Sequence, residues 1–182
     1  GGVTPIAAAQ KGGTTMIDLA TTLAGCVARF ADRHSDWPVF GFETAKNPCF
    51  ARIQRRYLGA SGSVDSKDLR SSLPATAFTM SIQTVPVGNM IPKHCHEVEV
   101  VFFILDGQCT VRCFAGDEVT ELSLGRWNLM KVPVGLQHEL HNTGDVDCQV
   151  QTSLSAPQPR RPQYEDPELL ALQAAVTEPV PA

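Results

Sequence analysis

The sequence predicts an all-β protein whose core is an antiparallel β-sandwich or β-barrel, flanked by helices. Short runs rich in β-branched and aromatic residues repeat about every ten residues after Ala75, and Gly, Asp or Asn closes each run. Helical periodicity occurs only before and after this region. No internal repeat is visible in the 182 residues, so we expect a single β domain.

The N-terminal part, residues 1–74, is predicted to contain a flexible leader (1–13), a helix and a strand extension. Apolar side chains within residues 14–34 recur at spacings of three and four, which is typical of an amphipathic helix. We expect this helix to pack on the outside of the barrel. Residues 50–57 alternate between two faces and predict a strand, and the Gly/Ser-rich residues 60–72 predict a loop.

The predicted barrel covers residues 75–155, and a tail of residues 156–182 follows it. The tail begins with a Pro-rich extended stretch and continues into a short helix, for which Asp166 is the expected cap and Pro167 the first residue. The strand predicted at residues 50–57 offers an open edge that must be covered. We therefore expect a homodimer.

Composition and charge exclude several functional classes. The net charge is −4, without the basic footprint of a nucleic-acid-binding protein, so no nucleic-acid partner is expected. No apolar run approaches the roughly 20 residues that span a bilayer, and no membrane association is expected. No signal-peptide pattern is visible, which predicts a cytoplasmic protein with six free cysteines.

The basic residues form only short clusters, which we interpret as solvated faces or salt-bridged strand ends. A second interpretation remains open for Arg52 and Arg55, which are candidates for holding a substrate carboxylate. The clustered residues are Arg52, Arg55, Arg56, Arg160 and Arg161.

Two histidines separated by one residue, His94 and His96, mark the stretch GNMIPKHCHEVEVVFFILDG. Side chains alternate along a strand, so both imidazoles would point to the same face. A metal ion would give both desolvated rings a partner at once. The stretch PVGLQHELHN carries His138 on another strand, and this third imidazole could complete the facial arrangement used by non-heme metals.

Both stretches resemble the signature motifs of the cupin superfamily, and the resemblance covers residues 75–155. The first motif has the form G-x5-H-x-H-x3-E-x6-G, and the residues that match it are Gly88, His94, His96 and Gly107. The second has the form G-x5-P-x-G-x2-H-x3-N, and the residues that match it are Pro133, Gly135, His138 and Asn142. The resemblance implies a small antiparallel β-barrel of the jelly-roll kind with one divalent metal ion inside it.

The sequence departs from these motifs at two positions. Trp127 replaces the opening glycine of the second motif, and Val100 replaces the glutamate ligand of the first. Glu97 and Glu99 lie nearby, but strand parity places both on the face opposite to the histidine pair. Only a β-bulge could turn Glu99 inward. We therefore expect a three-histidine metal site without a carboxylate.

Three neutral imidazoles would leave a divalent ion its full double charge, which favours a small, anionic, chelating substrate. Resemblance to the three-histidine cupins implies an iron(II) dioxygenase, as in thiol, diketone-cleaving and gentisate-type enzymes. Zinc, nickel, manganese and copper remain open because imidazole binds them all. The alternatives are a non-oxidative metal-dependent isomerase, lyase or cyclase, and a non-catalytic barrel that binds a small molecule. The sequence assigns no catalytic residue beyond the ligands.

Overall fold

A computed structural model of the protein describes residues 18–35, 40–59, 72–158 and 161–176. The helices in these ranges are α1 (Leu19–Ala24), α2 (Gly41–Lys46) and α3 (Pro167–Ala175), and none is long and apolar enough to cross a membrane. The strands are β1 (Ile53–Leu58), β2 (Thr79–Val85), β3 (Met90–His94), β4 (Val100–Asp106), β5 (Gln108–Ala115), β6 (Glu118–Gly125), β7 (Leu129–Val132), β8 (Gln137–His141) and β9 (Cys148–Leu154). The predicted leader, residues 60–71 of the predicted loop, and Arg160 lie outside the described residues.

The strands form two antiparallel sheets that enclose one apolar core. One sheet has the order β1-β2-β9-β4-β7, and the other has the order β3-β8-β5-β6. Alternate residues of β4 enter the core, where Val100, Phe102 and Ile104 meet Val111 of β5 and Leu140 of β8. Side chains of both inner faces therefore share one interior, as packed sheets require. The predicted all-β jelly roll is confirmed.

The chain crosses from one sheet to the other between His94 and Val100. Strand β3 ends at His94, Cys95 makes an isolated bridge to Gln163, and β4 begins at Val100 in the other sheet. The alternation of side-chain faces along β3 therefore does not continue to Val100, because Val100 belongs to a different strand. Val100 nevertheless faces the interior with 1% exposure, because it begins a core strand of its own.

The N-terminal helix is much shorter than the predicted helix of residues 14–34. Helix α1 ends at Ala24, before Gly25, and has no buried residue; residues 14–17 lie outside the described range. Leu19 and Leu23 are 65% and 52% exposed. The prediction of a long helix packed on the barrel is wrong for the described residues, because an apolar stripe makes a stable helix only when a surface buries it.

Strand β1 lies at the edge of the five-stranded sheet and pairs with β2, which confirms the strand predicted at residues 50–57. Arg52, just before β1, and Arg56 within it are 2% and 1% exposed, whereas Arg55 is half-buried. Arg52 is salt-bridged to Glu43 at the start of the strand, as one half of the interpretation of this cluster expects, but the other half, a solvated face, is wrong for Arg52 and Arg56. Strand alternation turns these two side chains into the jelly roll, where polar groups receive them.

The segments on either side of the β domain pack against each other. Asp166 caps α3 and Pro167 opens it, as predicted. Phe42 of α2 packs edge-on against Tyr164, with ring centroids 5.9 Å apart. Lys46 of α2 forms an ion pair with Asp166. Residues before β1 and after β9 are therefore joined into one layer beside the barrel.

Trp127 adopts a backbone conformation that favours glycine. Its φ of 68° lies in the left-handed region. Residues that carry a Cβ adopt this region only at a cost in energy. The second cupin motif places glycine at this position, and the conformation gives the reason for that preference.

We predict that Trp127→Gly is more stable than Trp127→Ala by about 1 kcal/mol, since only alanine keeps a Cβ in the left-handed conformation. Both variants lose the ring contacts with Phe103 and Arg126, so their difference isolates the backbone. Urea unfolding measures it. Equal stability of the two variants would show that the turn relaxes without strain.

Candidate metal centre

The structure brings the three predicted histidines together inside the jelly roll. His94 of β3 and His138 of β8 face each other across the antiparallel pairing of these strands. Their ring centroids are 4.5 Å apart, and the centroid of His96 is 4.9 Å from His94 and 6.3 Å from His138. The backbone N–H of Gly135 donates to the carbonyl of His96 at 2.9 Å, which ties the two motifs together.

Backbone carbonyls orient two of the imidazoles. His94 Nδ1 donates to the Pro92 carbonyl at 2.7 Å, and His138 Nδ1 donates to the Leu136 carbonyl at 2.9 Å. A carbonyl oxygen only accepts, so Nε2 of each ring carries no proton and is free to coordinate. Nε2 of His138 is buried and has no hydrogen-bond partner. Leaving such an atom unsatisfied costs about 1–3 kcal/mol, which a bound cation would relieve.

Burial keeps all three rings uncharged. Desolvation lowers the pKa of His96 from 6.5 to about 4, with the neighbouring His138 as the second cause. It also lowers the pKa of His94 far below 6.5, helped by His138 and His96, and it lowers the pKa of His138. The rings are therefore neutral at neutral pH, which is the form that binds a metal ion.

The donor chemistry fits a divalent metal, although the rings are not arranged as a finished chelate. Within the part of the chain that the structure describes, no group of three or more His, Cys, Asp or Glu side chains has the placement of a formed metal site. Two imidazoles at right angles on one ion have centroids about 4.5 Å apart. Two of the three pairs lie near this value, and the His96–His138 pair is wider. A chelate therefore requires His96, which follows the end of β3, to turn.

A cavity of about 40 Å³ adjoins His94 and His96. This is space for about three water molecules. Val100 and Phe102 line it and make one of its walls apolar. Polar residues from other parts of the chain complete the lining, namely Glu43, Arg52, Gln54, Gln83 and Thr152.

A buried ion pair forms the polar wall of this cavity. Arg52 Nη1 donates to Glu43 Oε2 at 2.5 Å, and the two side chains are 2% and 1% exposed. The Tyr164 hydroxyl donates to Glu43 Oε1, and Arg52 Nε donates to Gln83 Oε1 at 3.0 Å. Burial and the adjacent Glu43 charge raise the pKa of Tyr164, so the phenol stays protonated as a donor. A carboxylate does reach the cavity, but it comes from α2.

Sequence reasoning anticipated the histidines but missed Glu43 and Tyr164. The two residues are 121 positions apart, and neither lies in a motif that could have marked it. Glu99 lies where strand parity placed it, on the outside, where it accepts from Lys131 Nζ at 2.8 Å and is 45% exposed. Glu97 is also exposed.

Comparison with known proteins agrees with the fold. Residues 81–155 match the family model described as Cupin domain. The match covers less than half of the chain and supports a cupin fold for this region. The matched range contains all three histidines, whereas Glu43, Arg52 and Tyr164 lie outside it.

Solved structures of other cupin-fold proteins resemble the chain at low sequence identity. A structure of Bacillus subtilis oxalate decarboxylase, studied for its Mn(II) centres, has 14% identity, a TM-score of 0.52, and coverage of 70% of this chain and 28% of its own. A mutant of that enzyme has a TM-score of 0.53 with the same identity and coverage. Hazelnut (Corylus avellana) vicilin has 12% identity, a TM-score of 0.49, and coverage of 70% and 32%. No curated protein matches in sequence. The two likenesses to oxalate decarboxylase show the fold alone.

We predict that Glu43→Gln lowers the free energy of unfolding by about 3–5 kcal/mol, because Arg52 then keeps a buried charge without a counter-ion. Urea unfolding measures the loss. The matched control is Lys131→Gln, which breaks the exposed pair with Glu99 and should cost less than about 1 kcal/mol. Similar losses in both variants would mean that water reaches Arg52 freely.

A second prediction concerns pH. The free energy of unfolding of the metal-free protein should fall between pH 6.5 and about 4, the ordinary and folded pKa values of His96. In this window the unfolded state takes up the proton first, and protonation therefore favours unfolding. His96→Gln should make this pH dependence shallower, while His94 and His138, whose pKa values are also lowered, retain part of it. An unchanged slope in His96→Gln would contradict the argument.

Proposed function

We propose that this protein is a mononuclear, metal-dependent cupin enzyme that acts as an iron(II) dioxygenase on a small anionic substrate. The observation that carries the proposal is the meeting of three neutral imidazoles beside a cavity, two of them buried and that of His96 partly buried. The nearby carboxylate of Glu43 is already engaged by Arg52 and Tyr164. The ligand set would therefore be uncharged, and a divalent ion in it would keep its affinity for an anion.

His94, His96 and His138 would hold the metal ion. An iron(II) ion bound there would supply the redox chemistry for a reaction with dioxygen. The protein's own part is positioning and exclusion of water. The Pro92 and Leu136 carbonyls hold His94 and His138 in orientation, while Val100 and Phe102 keep their side of the cavity apolar.

A non-oxidative reaction is the second candidate. One similar solved structure is an oxalate decarboxylase with Mn(II) centres, which supports a lyase on this fold that uses manganese. A barrel that binds a small molecule without turnover is the third candidate. We further propose that the protein acts in the cytoplasm as a homodimer that covers the edge strand β1.

The proposal predicts stoichiometric metal binding that depends on each histidine. Replacing His94, His96 or His138 by Ala should reduce metal content at least tenfold, because losing one of three ligands removes the chelate. Elemental analysis after anaerobic loading measures this. The control is Glu99→Gln, which should retain the metal; loss of metal from that variant would place a carboxylate among the ligands.

The same loaded samples separate the candidate reactions. We expect the iron(II) form to consume dioxygen with one class of substrate among diketones, catechols, hydroxybenzoates and thiols, recorded with an oxygen electrode. Turnover of any substrate by a manganese, zinc or nickel form without dioxygen would favour the non-oxidative enzyme. Binding without turnover in all metal forms would favour the non-catalytic barrel.

A further inference from the structure

We propose that Arg52 is the substrate-recognition residue of this cavity and that it binds the carboxylate group of a short-chain carboxylic acid. This inference rests on the proposed function, because it takes the cavity beside His94 and His96 as the substrate site. It adds a specific anchoring group and a substrate class to that proposal.

The guanidinium of Arg52 has an unused edge. Of its three nitrogens, Nε donates to Gln83 at 3.0 Å, and Nη1 donates to Glu43 at 2.5 Å and to the Phe50 carbonyl at 3.0 Å. Among the described residues, Nη2 has no hydrogen-bond partner. It is also not one of the fully buried polar atoms without a partner, so it keeps some accessible surface. Arg52 lines the cavity, so Nη2 is the nitrogen of its guanidinium that is available to a ligand there.

The other edges of the guanidinium are held rigidly. Gln83, which orients Nε, donates its own amide to Thr152 Oγ1 at 3.1 Å. The plane of the guanidinium lies over the Phe40 ring, 4.8 Å from its centroid. A donor fixed in this way loses little conformational entropy when a ligand binds.

The surroundings favour an anion over a neutral ligand. The charge of Glu43 is shared between Arg52 and the Tyr164 hydroxyl. A second guanidinium, that of Arg56, is buried four residues further along the chain, on the same face. In a cavity with little water, hydrogen bonds from a guanidinium to a carboxylate are about twice as strong as bonds between neutral groups.

The size of the cavity restricts the substrate class. The open space of about 40 Å³ suits an acid of a few carbon atoms rather than an extended chain. The same wall carries His94 and His96. A carboxylate held at Arg52 Nη2 therefore leaves the other end of a short acid to reach the imidazoles.

If Arg52 had only a structural role, joining the barrel to α2, that role would account for the hydrogen bonds of Nε and Nη1. It would not involve Nη2. Site-specific NMR separates the two roles. Metal-free protein labelled with ¹⁵N is titrated with acetate, glycolate and pyruvate, and with acetamide and glycolamide as uncharged counterparts. We expect a saturable shift of the Arg52 Nε–H signal with the carboxylates and none with the amides. The wild-type protein is sufficient for this readout.

Variants test the assignment. The double variant Arg52→Gln with Glu43→Gln removes both buried charges, which protects folding, and should weaken carboxylate binding about ten- to a hundredfold. The matched control is Arg55→Gln, whose guanidinium lies over the Phe30 ring rather than in the cavity, and it should bind as the wild type does.

The proposal is overturned if no carboxylate moves the Arg52 signal, if the amides move it equally, or if binding survives in the double variant. Its failure is separable from failure of the proposed function. Carboxylate binding at Arg52 in a protein that takes up no metal would keep the anchor and refute the metal enzyme. Metal binding without any carboxylate-dependent shift of the Arg52 signal would keep the metal enzyme and refute the anchor.

Discussion

The buried pair of Arg52 and Glu43 is the interaction on which the rest of the site depends. Neither charge could remain in this interior alone, because an unpaired buried ion costs several kcal/mol. Glu43 comes from α2, Arg52 precedes β1, and Tyr164 from the C-terminal segment bonds to the same carboxylate. Docking of the flanking segments and formation of the polar wall are therefore one event. Any change that loosens α2 also exposes the cavity.

The fold could be predicted because its signals are local. Turn residues at short intervals and the spacing of the histidine motifs specify strands and their order of appearance, and the jelly roll follows. The N-terminal helix could not be predicted in the same way. Its apolar stripe has the right period, but periodicity does not say whether a surface exists to bury it. In the structure Leu19 and Leu23 are exposed, and the helix ends before Gly25.

The residues of the candidate site were likewise predictable only where the sequence signal is local. His94, His96 and His138 belong to motifs with fixed spacing, so the sequence marks them. The network of Arg52, Glu43 and Tyr164 depends on contacts between residues as far as 121 positions apart, and nothing local predicts them. The sequence allowed a salt bridge for Arg52 but did not predict its burial, because charges at an edge strand are normally solvated and only the docked segments remove this one from water.

The division of the cavity between two kinds of segment has an evolutionary consequence. The histidines lie inside residues 81–155, which match the cupin model, whereas Arg52 and its counter-ion Glu43 precede this range and Tyr164 follows it. Substitutions in the flanking segments can reshape what enters the cavity while the imidazoles stay in place. Related chains that keep the histidines but differ before β1 and after β9 would then divide into groups with different selectivity. The record of that divergence would lie in the flanks and not in the barrel.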